Sequence, residues 1–172
     1  MSGDARTTER LMLRPPGSGD GPGYRALLMD PVIGEWLRPR PLRPFGPADG
    51  DLWLSEDERH WERFGFGPWA VLEREGGAYL GRVGLRWTDI GDRAGIELVW
   101  AIDPARHGEG FAGEAAAAAL DFAAELELDE VFAMILPSNS ASQRVAGKIG
   151  LERAGEVEHA GFDHLLFRTE PG

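Results

Sequence analysis

The sequence contains no cysteine and no long hydrophobic run. The absence of cysteine among the 172 residues excludes a disulfide framework, a thiolate metal site, an iron–sulfur cluster and a cysteine nucleophile. No run of about eighteen apolar residues occurs, and the first segment, MSGDARTTER, has no apolar core. We therefore expect neither a transmembrane helix nor a secretory signal, no contact with a membrane, and a cytoplasmic location.

Positive charge is also scarce. The 18 Lys and Arg residues are outnumbered by 29 Asp and Glu residues, which gives a net charge of −11 at pH 7. The last part of the chain, residues 101–172, holds 5 basic and 13 acidic side chains. Such a charge repels polyanions and disfavours non-specific binding to nucleic acid, so we expect no nucleic-acid partner. It weakly favours a cationic partner.

The sequence shows no pattern typical of a metal site or of a serine nucleophile. The four histidines show no metal-ligand spacing with carboxylates, so we predict no metal site. No G-x-S-x-G serine motif occurs.

The length suits one domain, and we expect a single domain over residues 1–172. A short strand is predicted in ERLMLR, followed by one helix broken at Pro31 or two short helices, and by an amphipathic helix over residues 49–64. Three β-rich runs come next, PWAVLER, YLGRVGLRW and GIELVWAI. The turn-like segments REGGA and TDIGDRA separate them, so these strands are predicted to be antiparallel.

The composition of the sequence changes after Ile102, where glycine and alanine become frequent. A glycine-rich loop leads into an alanine-rich helix with an apolar stripe formed by Phe111, Ala115, Ala118, Phe122 and Leu126. The apolar run VFAMIL then predicts a buried strand, and a strand, a crossover helix and a second strand form a right-handed parallel unit. A helix ending at Gly150 and two short strands, over 151–157 and 164–168, complete the chain.

The predicted fold class is α+β, with α/β/α layers. The sheet is expected to be mixed, mostly antiparallel and twisted, with a central parallel strand pair joined by a crossover helix. Between the two early helices lies RPRPLRPFGP, the one basic patch, which fits either a solvated extended loop or a contact with an anionic ligand.

The segment from Gly108 to Gly113 matches G-x-G-x-x-G, follows a strand and opens a helix. Backbone N–H groups at a helix start can bind a phosphate closely. A dinucleotide fold is excluded by context, because antiparallel strands precede this loop and only about 60 residues follow it. Two readings stay open: a pyrophosphate site built from backbone amides, in which Glu109 points away, or a plain strand-to-helix turn.

This pattern, together with IELVWAIDPARHGEGFAGEA and PSNSASQRVAGKIGLERAGE, resembles the GCN5-related N-acetyltransferase superfamily. Within it, the chain is similar to the branch that includes ribosomal-protein alanine N-acetyltransferases. The resemblance implies acetyl-CoA as cosubstrate, no metal, and direct acetyl transfer in a ternary complex to a primary amine. It assigns cofactor binding to residues from two parts of the chain: Ala101, Ile102, His107, Gly108, Glu109, Gly110, Phe111, Ala112, Gly113, Asn139 and Ser142.

Two positions in the loop depart from the family pattern. His107 replaces the family's Gln or Arg, and Glu109 replaces a frequent basic residue, which would weaken phosphate binding. A tyrosine that protonates the leaving thiolate elsewhere in the superfamily is replaced by Ala146, so the resemblance suggests Ser142 for that role. Asn139 and Ser142 also fit an N-cap for the next helix, and both roles can coexist.

The resemblance places Glu97 beside the thioester as a candidate base, acting directly or through water. A glutamate needs burial to become a useful base. The alternative is a solvent-facing strand residue. Backbone N–H groups near Val99 to Ala101 would polarise the thioester carbonyl.

The acceptor is less determined by the sequence. An acidic aromatic pocket formed by Glu35, Trp36, His60 and Trp61 is possible, although core packing is the simpler explanation of the six tryptophans. A protein N-terminus, a polyamine or aminoglycoside, and a small amino compound all fit.

The rival functions are a catalytically silent acyl-CoA-binding regulatory module and a purely structural interaction protein. Homodimers are common in such proteins, so a homodimer is a further possibility.

Overall fold

The structure is a computed structural model and describes residues 4–37 and 44–170. Within these ranges the chain forms eight strands and five α-helices. The strands are β1 Arg6–Thr7, β2 Leu11–Arg14, β3 Pro68–Glu73, β4 Tyr79–Ile90, β5 Arg93–Ile102, β6 Val131–Ile135, β7 Glu152–His159 and β8 Phe162–Arg168. The helices are α1 Gly21–Met29, α2 Pro31–Leu37, α3 Pro47–Phe64, α4 Phe111–Glu125 and α5 Ser140–Lys148.

All eight strands belong to one sheet, in the order β1-β2-β3-β4-β5-β6-β8-β7. Every neighbouring pair is antiparallel except β5 and β6, which are parallel and are connected by α4. The predicted mixed sheet with a central parallel pair and a crossover helix is therefore confirmed. The described helices include none long and apolar enough to cross a membrane.

The parallel pair separates soon after it forms. Only Ile96↔Val131 and Glu97↔Phe132 are paired, although β5 continues to Ile102 and β6 to Ile135. The ends of these two strands therefore leave a gap in the middle of the sheet, which we call the central gap.

The two faces of the sheet carry different helices. Leu98 and Ile102 of β5 belong to one core cluster with Phe111 and Ala115, so α4 covers this face. Successive side chains of a strand alternate between faces, which places Glu97 on the opposite face. Its register partner on β4, Arg86, shares that face.

A buried ion pair fixes α1 and α3 on this second face. The carboxylate of Asp57 in α3 accepts hydrogen bonds from Arg82 of β4, one of them 2.7 Å long, and from the hydroxyl of Tyr24 at 2.8 Å. Arg82 and Asp57 are 4% and 3% exposed, respectively. Burial would lower the pKa of Arg82, but the charge and hydrogen bonds of Asp57 outweigh it and raise this pKa above its ordinary value.

Most of the elements form where the pattern predicts them. Of the two alternatives around Pro31, the structure has two short helices, since Pro31 is the first residue of α2, a position that needs no N–H. The predicted turn TDIGDRA is mostly strand, because the β4–β5 register continues through Ile90↔Arg93 and only two residues form the turn. On α4 the buried stripe uses Ala119, whereas Leu126 is 38% exposed.

The last two strands are longer than predicted and form a hairpin. The pairing of β7 with β8 extends to His159↔Phe162, closed by Ala160 and Gly161. Both turn residues have positive φ, 52° and 81°, as a two-residue turn of the primed type requires. Most of the basic segment RPRPLRPFGP, residues 38–43, lies outside the described residues.

Candidate active site

Two cavities open at the carboxyl end of β5. The first, which we call the loop cleft, has a volume of about 560 Å³ and is lined by the glycine-rich loop, the start of α4 and α5. The second, the sheet cavity, has a volume of about 440 Å³ and is lined by β4, β5, β6, the β7–β8 hairpin and residues of α1, α2 and α3. Six residues line both cavities: Trp36 and Leu37 of α2, Trp100 and Ala101 of β5, the α5 N-cap Asn139, and Ser142 of α5.

The central gap connects the two faces of the sheet at this point. Met134 and Ile135 are successive residues of β6, so their side chains lie on opposite faces. Both line the sheet cavity, which therefore reaches through the sheet between β5 and β6. The separation of the parallel strands thus creates a passage where molecules from the two cavities can meet.

The loop cleft presents unused backbone donors. Gly108 and Gly110 both have φ of 84°, a conformation that favours glycine, and α4 begins directly afterwards at Phe111. The first N–H groups of a helix have no acceptor within the helix. In the described part of the chain, no side chain accepts a hydrogen bond from the N–H groups of residues 110–113. These donors and the positive end of the helix dipole favour an anion.

Glu109 does not line the loop cleft. Its carboxylate accepts a 2.7 Å hydrogen bond from Arg106 Nε, and the same guanidinium pairs with Glu73 at 2.8 Å. The hydrogen bonds from Arg106 lower the pKa of both carboxylates below their ordinary value. Arg106 lines the cleft, but its charge is already engaged by two acids.

Two uncommitted cations reach the same cleft from α5. Arg144 and Lys148 line it, and neither forms an ion pair with any residue that the structure describes. They are four residues apart and therefore lie on one side of the helix. The glycine-loop motif does not predict these two cations. Their i, i+4 spacing in the predicted helix that ends at Gly150 could have indicated them.

Four contacts stabilise the loop itself. His107 Nε2 lies 2.7 Å from the carbonyl oxygen of Ile102, which ties the loop to the end of β5. The ring of Phe111 lies beneath two guanidinium groups, those of Arg10 at 4.4 Å and Arg106 at 5.0 Å from its centroid. Arg10 also donates a 2.8 Å hydrogen bond to the carbonyl oxygen of Glu109.

The start of α5 holds the residues that join the two cavities. Asn139 is the N-cap, and its Oδ1 accepts a 3.1 Å hydrogen bond from the N–H of Ser142. The hydroxyl oxygen of Ser142 accepts a 3.2 Å hydrogen bond from the indole of Trp100. The N-cap interpretation is therefore confirmed. Ala146 is fully buried in a core cluster and cannot reach either cavity.

The backbone N–H of Trp100 is a hydrogen-bond donor at the junction of the two cavities. The N–H of Asp103 donates to the carbonyl oxygen of Leu80 in β4, at 2.7 Å, and the β4–β5 register continues without interruption. Because N–H directions alternate, the N–H of Trp100 points away from β4, toward the central gap. The pairing with β6 has already ended there.

Glu97 lies in the sheet cavity, on the acceptor side of the junction. It is 6% exposed, and its Oε2 accepts a 2.9 Å hydrogen bond from Arg86 Nε and lies 2.8 Å from Arg86 Nη2 in an ion pair. The interpretation as a solvent-facing residue is therefore wrong.

Two histidines of the β7–β8 hairpin, His159 and His164, line the same cavity. Burial lowers the pKa of His159 below its ordinary value, and the charge of Glu97 opposes this shift. The sequence analysis missed both histidines, since some 60 residues separate them from Glu97.

The residues proposed for an acidic aromatic pocket do not come together. Of these four residues, only Trp36 lines the sheet cavity. His60 Nδ1 lies 2.6 Å from the carbonyl oxygen of Phe66, and its Nε2 accepts a 2.9 Å hydrogen bond from the N–H of Trp87. Trp61 is packed in the core, 8% exposed, with its indole donating to the carbonyl oxygen of Pro68. Packing and backbone contacts explain these side chains. No cluster of His, Asp and Glu suited to a metal occurs among the described residues.

Comparison with known families identifies this arrangement. Residues 10–152, more than four fifths of the chain, match the family described as the acetyltransferase (GNAT) domain. The chain therefore belongs to the GNAT acetyltransferases. Enzymes of this family take the acetyl group from acetyl-CoA.

Solved structures have the same fold. An acetyltransferase from Agrobacterium tumefaciens is 28% identical, with a TM-score of 0.83 over 99% of this chain and 96% of that one. The ribosomal-protein-S5-alanine acetyltransferase from Vibrio fischeri is 18% identical, with a TM-score of 0.73 over 96% and 95%. RimJ of Mycobacterium smegmatis, solved in complex with CoA-disulfide, is 23% identical, with a TM-score of 0.70 over 92% and 80%.

A curated relative also matches in sequence. The uncharacterized protein YkkB of Bacillus subtilis is 32% identical over 100 residues, which are 58% of this chain and 58% of that protein. The matched region thus spans less than two thirds of the relative.

Proposed function

We propose that this protein transfers an acetyl group from acetyl-CoA to a primary amine, directly, within a ternary complex. The observation that carries the proposal is the meeting of two cavities at Trp100, Ala101, Asn139 and Ser142. The loop cleft has backbone N–H groups at the start of α4 that can bind a pyrophosphate. The sheet cavity has buried polar side chains such as Glu97. Direct transfer needs both substrates bound at one point, and this junction provides it.

The cofactor is proposed to lie in the loop cleft. Ten of the eleven residues assigned to it from the sequence line this cleft, and Glu109 is the exception. Backbone N–H groups between Gly108 and Gly113 would bind the pyrophosphate, and Arg144 and Lys148 would supply the positive charge that the acidic chain otherwise lacks. Ala101, Ile102, Asn139 and Ser142 would contact the pantetheine arm and the sulfur.

Three groups at the junction would carry the chemistry. The N–H of Trp100 would polarise the thioester carbonyl as negative charge develops on its oxygen. Ser142 would assist departure of the thiolate through its hydroxyl proton, because its oxygen is already held by Trp100. Glu97 would assist deprotonation of the amine by stabilising positive charge in the sheet cavity. An α-amino group, with a reference pKa of about 8, needs less help than lysine, at about 10.4.

The acceptor class is open among a protein N-terminus, a polyamine or aminoglycoside, and a small amino compound. A cavity of about 440 Å³ admits a group of side-chain to dipeptide size. The negative net charge would favour the approach of any of these cations. A cytoplasmic location and a homodimer are further proposals, which fractionation and sedimentation would test.

The test is a thiol-release screen with acetyl-CoA and representatives of the three amine classes, with the acetylated amine identified by mass. The proposal predicts release only when an amine is present, in equal amounts with acetylated product. Cofactor binding without release for any amine would favour the rival function, a catalytically silent acyl-CoA-binding module. The buried Ala146, at the position of the superfamily's catalytic tyrosine, is the observation that keeps this rival open.

A further inference from the structure

His159 occupies a distinctive position in the sheet cavity. It is the last residue of β7, next to a tight turn, and shares its face of the hairpin with Phe162 and His164. All three side chains line the cavity that Glu97 also lines. The hairpin thus brings a titratable ring to the acceptor side of the junction.

The ring of His159 is uncommitted. It is half-buried, and neither of its nitrogens has a hydrogen-bond partner among the described residues. The neighbouring ring of His164, 5.6 Å away and edge-on, is by contrast fixed, because its Nδ1 donates to the carbonyl oxygen of Phe162 at 2.9 Å. His159 therefore has a free nitrogen lone pair that can accept a proton from a bound molecule.

Glu97 is less suited to that task. Its Oε2 accepts a hydrogen bond from Arg86 Nε and is ion-paired with Arg86 Nη2, so the arginine already occupies this oxygen. Its negative charge still acts on His159, where it favours the protonated ring. A fixed carboxylate in the same cavity as a free imidazole is an arrangement in which the imidazole can move the proton while the carboxylate charge stabilises the resulting cation.

We propose that His159 is the group that accepts the proton from the acceptor ammonium, with Glu97 stabilising the imidazolium that forms; this rests on the proposed function. An N–H bond of the ammonium breaks and its proton bonds to the free nitrogen of His159. The amine lone pair then forms the C–N bond to the thioester carbon and the C–S bond breaks. The second amine proton reaches the thiolate by way of Ser142, and His159 returns its proton to solvent.

The charges around His159 agree with this role. Burial and the charges of His164 and Arg86 lower its pKa, whereas Glu97 and Asp89 raise it, and the net direction is downward. A histidine with a lowered pKa is neutral at pH 7 and therefore ready to accept a proton. Protonation in acid solution would remove this capacity.

The experiment compares pH profiles of kcat/KM for the wild type, His159→Gln and Glu97→Gln, with the best acceptor of the thiol-release screen. We expect His159→Gln to lower kcat/KM by about tenfold to a hundredfold at pH 7 and to abolish the fall in rate on the acid side. Glu97→Gln should retain that fall and shift it to lower pH. His159→Ala should regain rate when imidazole is added, a rescue that a merely structural role would not give.

Glu158→Gln is the matched control, since this exposed neighbour lies on the opposite face of β7 and should behave as the wild type. Acetyl-CoA affinity, measured by calorimetry, should be the same in all four variants and shows that they are folded. The proposal is overturned if His159→Gln keeps both the rate and the acid-side fall, or if Glu97→Gln alone abolishes that fall. Absence of thiol release by the wild type with every amine would instead overturn the proposed function, and this inference with it.

Discussion

The indole Nε1 of Trp100 donates a 3.2 Å hydrogen bond to the hydroxyl oxygen of Ser142. Trp100 belongs to β5 and Ser142 to the first turn of α5, so this bond spans the junction of the two cavities. Because a hydroxyl is both donor and acceptor, the bond leaves the Ser142 proton free to point at a bound sulfur. The same contact positions the Ser142 oxygen and leaves its proton available for a second hydrogen bond.

Replacing Ser142 by alanine tests this arrangement. We expect Ser142→Ala to lower kcat by about tenfold to a hundredfold, because the thiolate loses its proton donor, while acetyl-CoA affinity changes little. Ser140→Ala is the matched control, an exposed serine on the same helix that lines neither cavity. Equal kcat for Ser142→Ala and the wild type would remove Ser142 from the chemistry and leave it with a structural role alone.

Neutralising Glu109 should strengthen cofactor binding. In Glu109→Gln the guanidinium of Arg106 loses one of its two acidic partners, so it can attract phosphate, and we expect CoA affinity to rise by about threefold at low salt. Glu127→Gln, past the other end of α4, is the control. Calorimetry of both variants measures the effect, and an unchanged or weaker affinity for Glu109→Gln would contradict it.

The Glu109 effect should also be independent of pH across the neutral range. Arg106 lowers the pKa of Glu109 below 4.5, its ordinary value, so the carboxylate stays charged between about pH 5.5 and 8. The affinity ratio of variant to wild type is therefore expected to be constant over this interval.

Removal of the α5 cations should weaken cofactor binding. Arg144→Ala with Lys148→Ala deletes the two uncommitted positive charges of the loop cleft, and we expect CoA affinity to fall by about tenfold or more, with a smaller dependence on salt. Arg59→Ala, which removes an exposed cation outside both cavities, is the control. A double variant that binds CoA as tightly as the wild type would show that backbone amides bind the phosphates alone.

The buried pair of Arg82 and Asp57 should govern stability. Asp57→Asn leaves the Arg82 charge buried without its partner, so the free energy of unfolding should fall by about 3–5 kcal/mol. The exposed pair of Arg25 and Asp51 offers a matched control, and Asp51→Asn should cost less than about 1 kcal/mol. Urea denaturation measures both. Similar losses for the two variants would show that burial of the Arg82 pair does not matter.

Local patterns allowed most of the fold to be predicted. Pro31 divided the early helices, the antiparallel runs and the crossover helix defined the sheet, and the glycine loop marked the start of α4. These features depend on residues close together in the chain, where propensity and periodicity act. The length of the β4–β5 hairpin was missed because TDIGDRA looks like a turn, although its outer residues continue the ladder.

Contacts between distant segments could not be predicted. His159 reaches the cavity of Glu97 because the β7–β8 hairpin joins the sheet beside β6, far along the chain from β5. The pairing of Glu97 with Arg86 depends on the β4–β5 register, and the engagement of Glu109 by Arg106 depends on the conformation of the loop. Each of these relationships changes the chemistry of a residue that the motif alone had marked.

Calorimetric titration of the purified protein with acetyl-CoA tests the central claim most directly. Amides at the start of α4 and cations of α5 line a cleft that ends at Ser142, and we predict saturable binding of one acetyl-CoA per chain. Gly110→Ala, which strains a residue at φ 84°, should weaken the binding. No detectable heat with folded protein at millimolar acetyl-CoA would contradict the account.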